Sequence, residues 1–260
     1  MNDKHRRPAR PQPVEEIEGQ LEGRNALQEA LRSGRTIDKV FIASGETDRG
    51  LQRLAAEAKE AGAVVVPVDR RKLDAMSTTH AHQGVITLAA AHEYATIEDI
   101  LEEAAQRGEN ALIVICDELT DPHNLGAILR SAECAGAHGV IIPKRRSVGL
   151  TATVAKASAG AVEYMKVARV TNINNAIAQL KEQGVWVFGT AAEGSIPMYK
   201  ADLTGPAAIV IGSEGDGMSP LVRKNCDVTV HIPMNGRITS LNASAAASIL
   251  LYEAVRQRLG

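Results

Sequence analysis

The chain has 260 residues, a net charge of −2, 45% hydrophobic residues and only 3% aromatic residues. This composition suits one large or two smaller globular domains, and its near-neutral sum gives no sign of nucleic-acid binding, although local patches can hide in such a sum. No apolar run approaches the roughly 18 residues of a membrane-spanning helix, and the charged amino terminus lacks a signal-peptide core, so we expect a cytoplasmic protein without a membrane segment.

The first 14 residues are predicted to be a disordered basic tail, because they contain three prolines and no apolar periodicity. Two interpretations remain open, a solvated tail and an arm that contacts RNA. The charged residues of the tail are Lys4, Arg6, Arg7 and Arg10 against Asp3.

Residues 15–90 are predicted to form a small α/β domain, since helical and strand patterns alternate along them. The first helix is expected to stop at Gly34, which follows apolar residues at helical spacing. The predicted elements are a helix within 18–34 (EGRNALQEALRSG), a strand at 39–43, a helix at 49–62, a strand at 64–68, a short helix in RKLDAMS and a strand at 84–90.

Residues 91–108 are predicted to link this domain to a second one. Within them Thr96 and Asp99 have the spacing of a capping box, which starts a helix that runs to about Arg107.

Residues 109–260 are predicted to form a larger α/β domain with a mostly parallel sheet that helices cover on both faces, because buried apolar strands alternate with helices. Strands are predicted at 111–116, 139–143, 162–168, 185–190, 207–212 and 228–233, and helices at 122–136, 150–158, 172–183 and 242–258.

The chain contains three cysteines, Cys116, Cys134 and Cys226. Their spacing fits no metal site, so we predict no bound metal and interpret all three as buried free thiols in a reducing compartment.

Three polar stretches each follow a predicted strand, and ligands bind at the carboxyl ends of strands in open α/β sheets. The first, 117–133, contains Asn124 and Arg130, which are nearly two helical turns apart and are expected on related faces. An asparagine near a helix start is often a cap and an arginine often a solvated charge, so this stretch alone does not indicate a function.

The second stretch, GSEGDGMS at 212–219, is a glycine-rich loop that lets a ligand approach the backbone. It matches neither the dinucleotide fingerprint nor the P-loop. Glu214 lies between two of its glycines, where a carboxylate can bind a ligand or orient another side chain. The third stretch, 232–254, joins a polar, turn-forming half to a helix rich in small residues.

Together these stretches resemble one family. DPHNLGAILRSAECAGAHGVII, IVIGSEGDGMS and IPMNGRITSLNASAAASILLYE are similar, in order and spacing, to the three motifs of the SpoU (TrmH-type) branch of the SPOUT RNA methyltransferases. The resemblance implies an α/β fold with a small N-terminal RNA-binding domain and a C-terminal SPOUT domain whose deep trefoil knot binds S-adenosylmethionine. Such knots are rare exceptions to normal chain topology.

The resemblance also implies site residues. The cofactor contacts carried over by motif are Gly189, Thr190, Gly212, Ile232, Met234 and Leu241. The catalytic set carried over is Asn124, Arg130, Glu214, Ser240 and Asn242, with Ser240 and Asn242 between cofactor and substrate.

The N-terminal part is similar to the small RNA-binding domain of bacterial enzymes that methylate the ribose of a guanosine in the peptidyl-transferase centre of 23S ribosomal RNA. EGRNALQEAL and HQG at 82–84 carry this likeness. It implies RNA contacts at Arg24 and Asn25, although a helix start with surface charge explains the same residues. A homodimer is also implied, with the arginine of one subunit completing the site of the other.

The expected reaction is methyl transfer from S-adenosylmethionine to a ribose 2′-hydroxyl, which must be activated as it attacks. Arg130 is expected to activate or orient that hydroxyl while it binds the adjacent phosphate. The phosphate-binding and electrostatic role is favoured, because a guanidinium that keeps its proton is a poor base. The alternatives are the same chemistry on transfer RNA and a non-catalytic RNA-binding protein of this fold. A Rossmann dehydrogenase is excluded, since no glycine-rich turn follows the strand at 111–116.

Overall fold

The computed structural model describes residues 19–45, 47–191 and 195–260. The chain divides into two compact units, the first ending at Ala89 and the second running from Ala90 to Gly260. The tail predicted at 1–14 lies outside the described residues.

The first unit is a four-stranded sheet with helices between its strands. Its strands lie in the order β1-β4-β2-β3, and among these pairs only β2 and β3 are parallel. The three-residue strand β1 is too short to be predicted from a pattern, and the helix predicted within 18–34 begins at Arg24. The elements are β1 (Gln20–Glu22), α1 (Arg24–Arg32), β2 (Ile37–Ala43), α2 (Arg49–Glu60), β3 (Val64–Val68), α3 (Arg70–Met76) and β4 (Val85–Ala89).

The second unit contains a seven-stranded sheet in which every paired strand is parallel. The order is β7-β6-β5-β10-β8-β11-β9. The α/β class and the mostly parallel sheet are therefore confirmed. The elements are α4 (Ile97–Arg107), β5 (Leu112–Cys116), α5 (Pro122–Cys134), β6 (Gly139–Pro143), α6 (Ala152–Ala157), β7 (Val167–Val170), α7 (Ile173–Glu182), β8 (Trp186–Thr190), β9 (Ile196–Pro197), β10 (Ala207–Ile211), α8 (Pro220–Asn225), β11 (Val228–His231) and α9 (Ala243–Leu259).

The segment 91–108 contributes a helix to the second unit. The capping box of Thr96 and Asp99 is present, with Asp99 Oδ2 accepting a hydrogen bond from Thr96 N at 2.7 Å. The buried side chains of α4, among them Ile100, pack into the apolar cluster on one face of the large sheet. In the structure this helix therefore belongs to the second unit.

One predicted strand needed adjustment, and two short elements were missed. The strand predicted at 162–168 begins only at Val167, because a short 3₁₀ turn, Ala161–Glu163, precedes it. The two-residue strand β9 and the six-residue helix α8 were not predicted, since elements this short have no readable periodicity.

The central strands β5 and β10 are buried along their whole length, and apolar clusters cover both faces of the sheet around them. Along the chain, β5, β6 and β7 build the sheet outward on one side, while β8 and β11 lie on the other side of β10. The strand order therefore reverses beside β5 and β10, and a crevice forms at the carboxyl ends of strands at such a point. The trefoil knot stays a prediction.

The cysteine prediction is wrong at one position. Cys134 is exposed on the outer side of α5, whereas Cys116 is buried and Cys226 half-buried. Burial raises the pKa of the Cys116 thiol to about 12 and that of Cys226 to about 11, so both stay protonated and unreactive near neutral pH. Within the described residues, no group of His, Cys, Asp and Glu side chains has an arrangement that could hold a metal ion, and no helix is long and apolar enough to cross a membrane.

Candidate active site

Three side chains from distant parts of the chain meet at the carboxyl edge of the large sheet. Asn124 Nδ2 donates a hydrogen bond to Glu214 Oε1 at 2.6 Å, and Asn242 Nδ2 donates to the same oxygen at 2.7 Å. Asn242 Nδ2 also donates to Asn124 Oδ1 at 2.8 Å. We call Asn124, Glu214 and Asn242 the amide–carboxylate cluster, and it joins one residue from each of the three polar stretches.

The start of α5 explains why Asn124 is available for this cluster. The helix is capped by Asp121, whose Oδ1 accepts from His123 N at 2.9 Å, and Pro122 occupies the first turn. The interpretation of Asn124 as a helix cap is therefore wrong. Its amide is buried and directed at Glu214 instead.

Asn242 has two functions at once. It is the N-cap of α9, because its Oδ1 accepts hydrogen bonds from Ser244 N at 3.0 Å and Ala245 N at 3.2 Å. The oxygen of the amide thus serves the helix cap, while its Nδ2 donates to Asn124 and Glu214 in the cluster. The last long helix and the polar cluster are thus fixed by one side chain.

Arg130 does not join the cluster. Six residues along a helix correspond to about 600°, which leaves two side chains roughly 120° apart. The expectation that Asn124 and Arg130 share related faces is therefore wrong, since Asn124 is buried and Arg130 exposed. Arg130 makes no hydrogen bond or ion pair with any residue that the structure describes, so its guanidinium is free to meet a ligand.

The glycine-rich loop after β10 folds back on itself. Ser213 N donates to Gly217 O and Gly217 N donates to Ser213 O, both at 3.0 Å. This closure brings the backbone of Gly217 and Met218 so close to Gly212 that a Cβ there would overlap it. Glycine at position 212 is therefore required by the loop itself, and the loop holds Glu214 at its tip.

Asp117 is a residue that the sequence interpretation missed. It is buried directly after β5, and its Oδ2 accepts a hydrogen bond from Ser219 N at 2.7 Å. This contact anchors the far end of the glycine-rich loop to β5. A buried aspartate next to a fully apolar strand was the available signal, because buried carboxylates need a partner.

A cleft runs along the carboxyl ends of β8, β10 and β11. Its larger part has a volume of about 620 Å³ and its smaller part, beneath the glycine-rich loop, about 390 Å³. Both volumes fall in the range of small-molecule sites. Of the residues predicted to touch the cofactor, five line this cleft: Thr190, Gly212, Ile232, Met234 and Leu241.

Gly189 lies outside the lining of the cleft. A Cβ at this position would meet Cys226 Sγ at 2.7 Å and Met218 Cε at 2.8 Å, so the glycine allows close packing behind the cleft wall. Ser240 lines both parts of the cleft, as does Thr190, whose Oγ1 donates to Val210 O at 2.9 Å.

In the first unit, Glu22 organises a polar loop. Its carboxylate accepts hydrogen bonds from Ser77, Thr78 and Thr79 at 2.5–3.3 Å and from Gln20 Nε2 at 2.9 Å. Burial alone would raise the pKa of this carboxyl, but these donors outweigh it and hold the pKa far below its usual range. The loop at residues 77–84, which includes HQG, is thereby fixed to β1.

Arg24 is tied into the same region. Its backbone N donates to Gln83 Oε1 at 3.2 Å, and its guanidinium lies 2.8 Å from Asp48 Oδ2. That guanidinium holds the pKa of Asp48 below its usual range. Asn25 is exposed at the first turn of α1. The structure thus gives Arg24 a structural partner and leaves Asn25 open to solvent.

Replacing Glu22 with Gln is expected to destabilise the first unit by about 1–2 kcal/mol near pH 7, because the hydrogen bonds to a charged acceptor are weakened. In the wild type, the unfolded chain takes up a proton below about pH 4.5 while the folded carboxylate stays ionised, so stability falls as the pH drops below that value. The variant should lose this acid dependence. Chemical unfolding of both proteins from pH 7 to pH 3 measures it, and an equal acid slope in the two would refute the assignment.

Comparison with known proteins identifies the family. The model described as "SpoU rRNA Methylase family" matches residues 111–252, which hold the cluster and the cleft. The chain belongs to the SpoU rRNA methylase family. A second model, described as "RNA 2'-O ribose methyltransferase substrate binding", matches residues 20–95.

Relatives of this SpoU family chain agree with the assignment. It is 48% identical to a Bacillus subtilis protein named as a TrmH family tRNA/rRNA methyltransferase, over 91% of this chain and 94% of the relative. A Staphylococcus haemolyticus relative with the same family name is 47% identical, again over 91% of this chain and 94% of the relative.

Two solved structures share the SpoU fold. The SpoU methyltransferase AviRb from Streptomyces viridochromogenes, in complex with the cofactor AdoMet, has a TM-score of 0.59 and 26% identity, over 92% of this chain and 90% of that one. An AdoMet-bound rRNA methyltransferase from Sinorhizobium meliloti has a TM-score of 0.59 and 26% identity, over 93% and 88%. The resemblance to the SpoU branch is confirmed, and the chain is a tRNA/rRNA methyltransferase of the SpoU/TrmH family.

Proposed function

We propose that this enzyme transfers the methyl group of S-adenosylmethionine to the ribose 2′-hydroxyl of a guanosine in the peptidyl-transferase region of 23S ribosomal RNA. The observation that carries the proposal is the amide–carboxylate cluster, which lies beside a cleft of cofactor size. Ribose chemistry is supported by the substrate-binding family over 20–95. Ribosomal RNA is supported by the rRNA methyltransferase among the structural neighbours.

The cleft has the chemistry that S-adenosylmethionine requires. Ile232, Met234 and Leu241 offer apolar surface for the adenosine, and Met234 and Leu241 are both more than a third exposed without a ligand. Thr190 and Gly212 line the cleft beside Glu214, whose carboxylate suits the positive charge of a sulfonium. When bound, this cofactor supplies an electrophilic methyl group without the help of a metal.

The cluster residues act by positioning. Glu214 Oε1 is occupied by the two asparagine amides, while Oε2 makes no hydrogen bond with any described residue and can face a ligand. Asn124 and Asn242 thus orient the carboxylate, and Ser240 lies at the boundary between the cleft and the substrate side. Holding the hydroxyl oxygen, methyl and sulfur nearly in line is the main contribution such a rigid set can make.

In this proposal Arg130 binds the phosphate next to the target ribose and stabilises the hydroxyl oxygen as it attacks the methyl group. The S–C bond breaks to leave the neutral thioether S-adenosylhomocysteine, and the hydroxyl proton passes to solvent. Its exposure and lack of partners among the described residues suit a contact that forms only with RNA.

Arg130→Ala is expected to lower kcat/KM for RNA by about 100-fold, and Arg130→Lys should recover part of it, because a charge is kept but the bidentate contact is lost. The pH profile of Arg130→Lys should match that of the wild type, since no proton is taken by the side chain. Steady-state rates from pH 6 to pH 10 measure this. A profile displaced toward lower pH would instead assign Arg130 as the base.

The reaction is tested by transfer of labelled methyl to unmodified 23S ribosomal RNA and, in parallel, to unmodified transfer RNA, with the modified nucleotide mapped. The proposal expects 2′-O-methylguanosine in the 23S peptidyl-transferase region. Label in transfer RNA alone would keep the methyltransferase and overturn the substrate. Cofactor binding without transfer to either RNA would favour the non-catalytic alternative.

The first unit is proposed to contact RNA through Arg24 and Asn25. The substrate-binding family covers both residues, and Asn25 is exposed beside Arg24. Because Arg24 also bridges to Asp48, the cleaner probe is Asn25, whose removal leaves that ion pair intact.

The active form is proposed to be a homodimer. Helix α9 exposes Ile249 and Tyr252, which are 37% and 52% exposed, on its surface, and burial of such residues in an interface is favourable. A partner subunit would bring a second Arg130 to the assembly. Sedimentation of the active enzyme should give twice the mass of one chain, and an active monomer would refute the proposal.

A further inference from the structure

The carboxyl end of β6 carries a basic segment that the proposed catalysis does not use. The basic segment comprises Lys144, Arg145 and Arg146 and follows β6 directly. Strand β6 pairs in parallel with β5, and β5 with β10, so all three strands end at the same edge of the sheet. Two strand spacings of roughly 5 Å place this segment about 10 Å laterally from the loop that holds Glu214.

The basic segment is fixed to the loop that leads into α5. Val148 N donates to Leu119 O at 3.0 Å, and the buried Ser147 donates its Oγ proton to the same oxygen at 3.0 Å. Arg146 forms an ion pair with Glu118 at 2.9 Å. The loop between β5 and α5, which leads to Asn124, therefore holds the basic segment in place.

The pair of Arg146 and Glu118 has an unusual backbone. Both residues are left-handed, with φ of 55° and 57°, a conformation that is uncommon outside glycine. Such residues persist where the surroundings determine the geometry, and they concentrate at functional sites. The ion pair gives the charge of Arg146 a partner in Glu118, and it fixes the course of the backbone of the basic segment.

Within the described residues, the charges of Lys144 and Arg145 have no ionic partner. Arg145 is exposed and Lys144 half-exposed, and neither makes an ion pair or side-chain hydrogen bond with a residue that the structure describes. Two free cations beside a methyltransferase cleft form an attractive site for the phosphates of a nucleic acid.

We propose that Lys144 and Arg145 bind backbone phosphates of the RNA that flank the target nucleotide. This inference rests on the proposed function, because it needs an RNA substrate at the carboxyl edge of the large sheet. Phosphate contacts fix the register of a nucleic acid without reading its sequence. The basic segment would therefore fix the position of the RNA backbone, and the target ribose would then lie at the amide–carboxylate cluster.

The test compares variants that remove one or two positive charges from the surface of the second unit. Arg145→Gln and the double variant Lys144→Gln/Arg145→Gln alter the basic segment. Lys224→Gln is the matched control, because Lys224 is exposed near the end of α8, shortly before β11 begins and hence at the opposite edge of the sheet. Filter binding measures the affinity for a fragment of 23S ribosomal RNA that contains the peptidyl-transferase region, at several salt concentrations. Calorimetry measures the binding of S-adenosylmethionine to the same variants.

We expect the double variant to bind RNA roughly tenfold more weakly and the slope of log K against log salt to fall by about 0.7 for each lost phosphate contact. Cofactor affinity should be unchanged, and the control should match the wild type. Equal RNA affinity and equal salt slope in the double variant and the control would overturn the inference. A wild type that binds RNA but methylates none would instead overturn the proposed function, so the two failures are distinguishable.

Discussion

Alanine at position 212 is expected to lower kcat/KM for S-adenosylmethionine by about 100-fold or more and to destabilise the second unit by about 2–3 kcal/mol. The physical reason is a collision with backbone. The Cβ of Gly212→Ala would overlap the peptide that joins Gly217 to Met218, and a peptide cannot rotate away as the end of a flexible side chain can. The loop must open to make room.

Opening the loop has a direct effect on the site. The two hydrogen bonds between Ser213 and Gly217 close the turn that holds Glu214. Their loss moves the carboxylate away from the two asparagine amides, and a displacement of about 1 Å in a catalytic group is enough for a large loss of rate.

Gly215→Ala is the matched control in the same loop. A Cβ at Gly215 would meet nothing within 4 Å, so this variant should stay within about 0.5 kcal/mol of the wild type and keep its activity. Thermal unfolding and calorimetric titration with the cofactor distinguish the two variants. Equal cofactor affinity in both would show that the packing at Gly212 has no part in binding.

Serine at position 242 is expected to reduce methyl transfer by about 100-fold while changing stability by less than about 1 kcal/mol. Serine is a good N-cap, so its hydroxyl oxygen can replace Asn242 Oδ1 as the acceptor for the backbone N–H groups at the start of α9. What it cannot replace is Nδ2, which donates to Glu214 and Asn124. The variant therefore separates the cap from the cluster.

Aspartate at the same position gives a complementary result. It also caps the helix, but its carboxylate faces that of Glu214 in place of an amide donor. Like charges at this distance disfavour ionisation of both groups, so the activity of Asn242→Asp should be low at neutral pH and should partly recover as the pH falls and one proton is shared.

Steady-state kinetics and thermal unfolding of Asn242→Ser, Asn242→Asp and Asn242→Ala test this argument together. The alanine variant should lose both stability and rate, because it lacks the cap and the donor. If Asn242→Ser kept wild-type kcat, the contribution of Nδ2 to the reaction would be ruled out and Asn242 would be only a helix cap.

The sheet was predictable because its central strands are short runs of fully apolar residues between polar turns. LIVIC and AAIVI form β5 and β10, and both are buried along their whole length. Their order in the sheet was not predictable from periodicity, since a uniformly apolar strand carries no pattern that identifies the strand with which it pairs. That order is what brings Asn124, Glu214 and Asn242 together.

The site was predictable as a set of residues but not as a geometry. Motif likeness selected all three members of the cluster. It also placed Gly189 in the lining of the cleft, whereas in the structure this glycine lies behind the cleft wall and makes room for Cys226 and Met218. It grouped Arg130 with Asn124, although helical geometry puts the two on different faces. Asp117 was missed because its position after an apolar strand signals a need for a partner but does not identify that partner, which is Ser219 N in the structure.

The amide–carboxylate cluster also bears on the order in which the protein acquires activity. Its hydrogen bonds join residues separated by 90, 28 and 118 positions along the chain. Contacts between such distant residues form late, because loops of that length must close first. Since Asn242 both caps α9 and completes the cluster, docking of that helix and assembly of the site are one event. The return of activity after refolding should therefore follow the slowest phase, well after the circular dichroism of the helices has recovered.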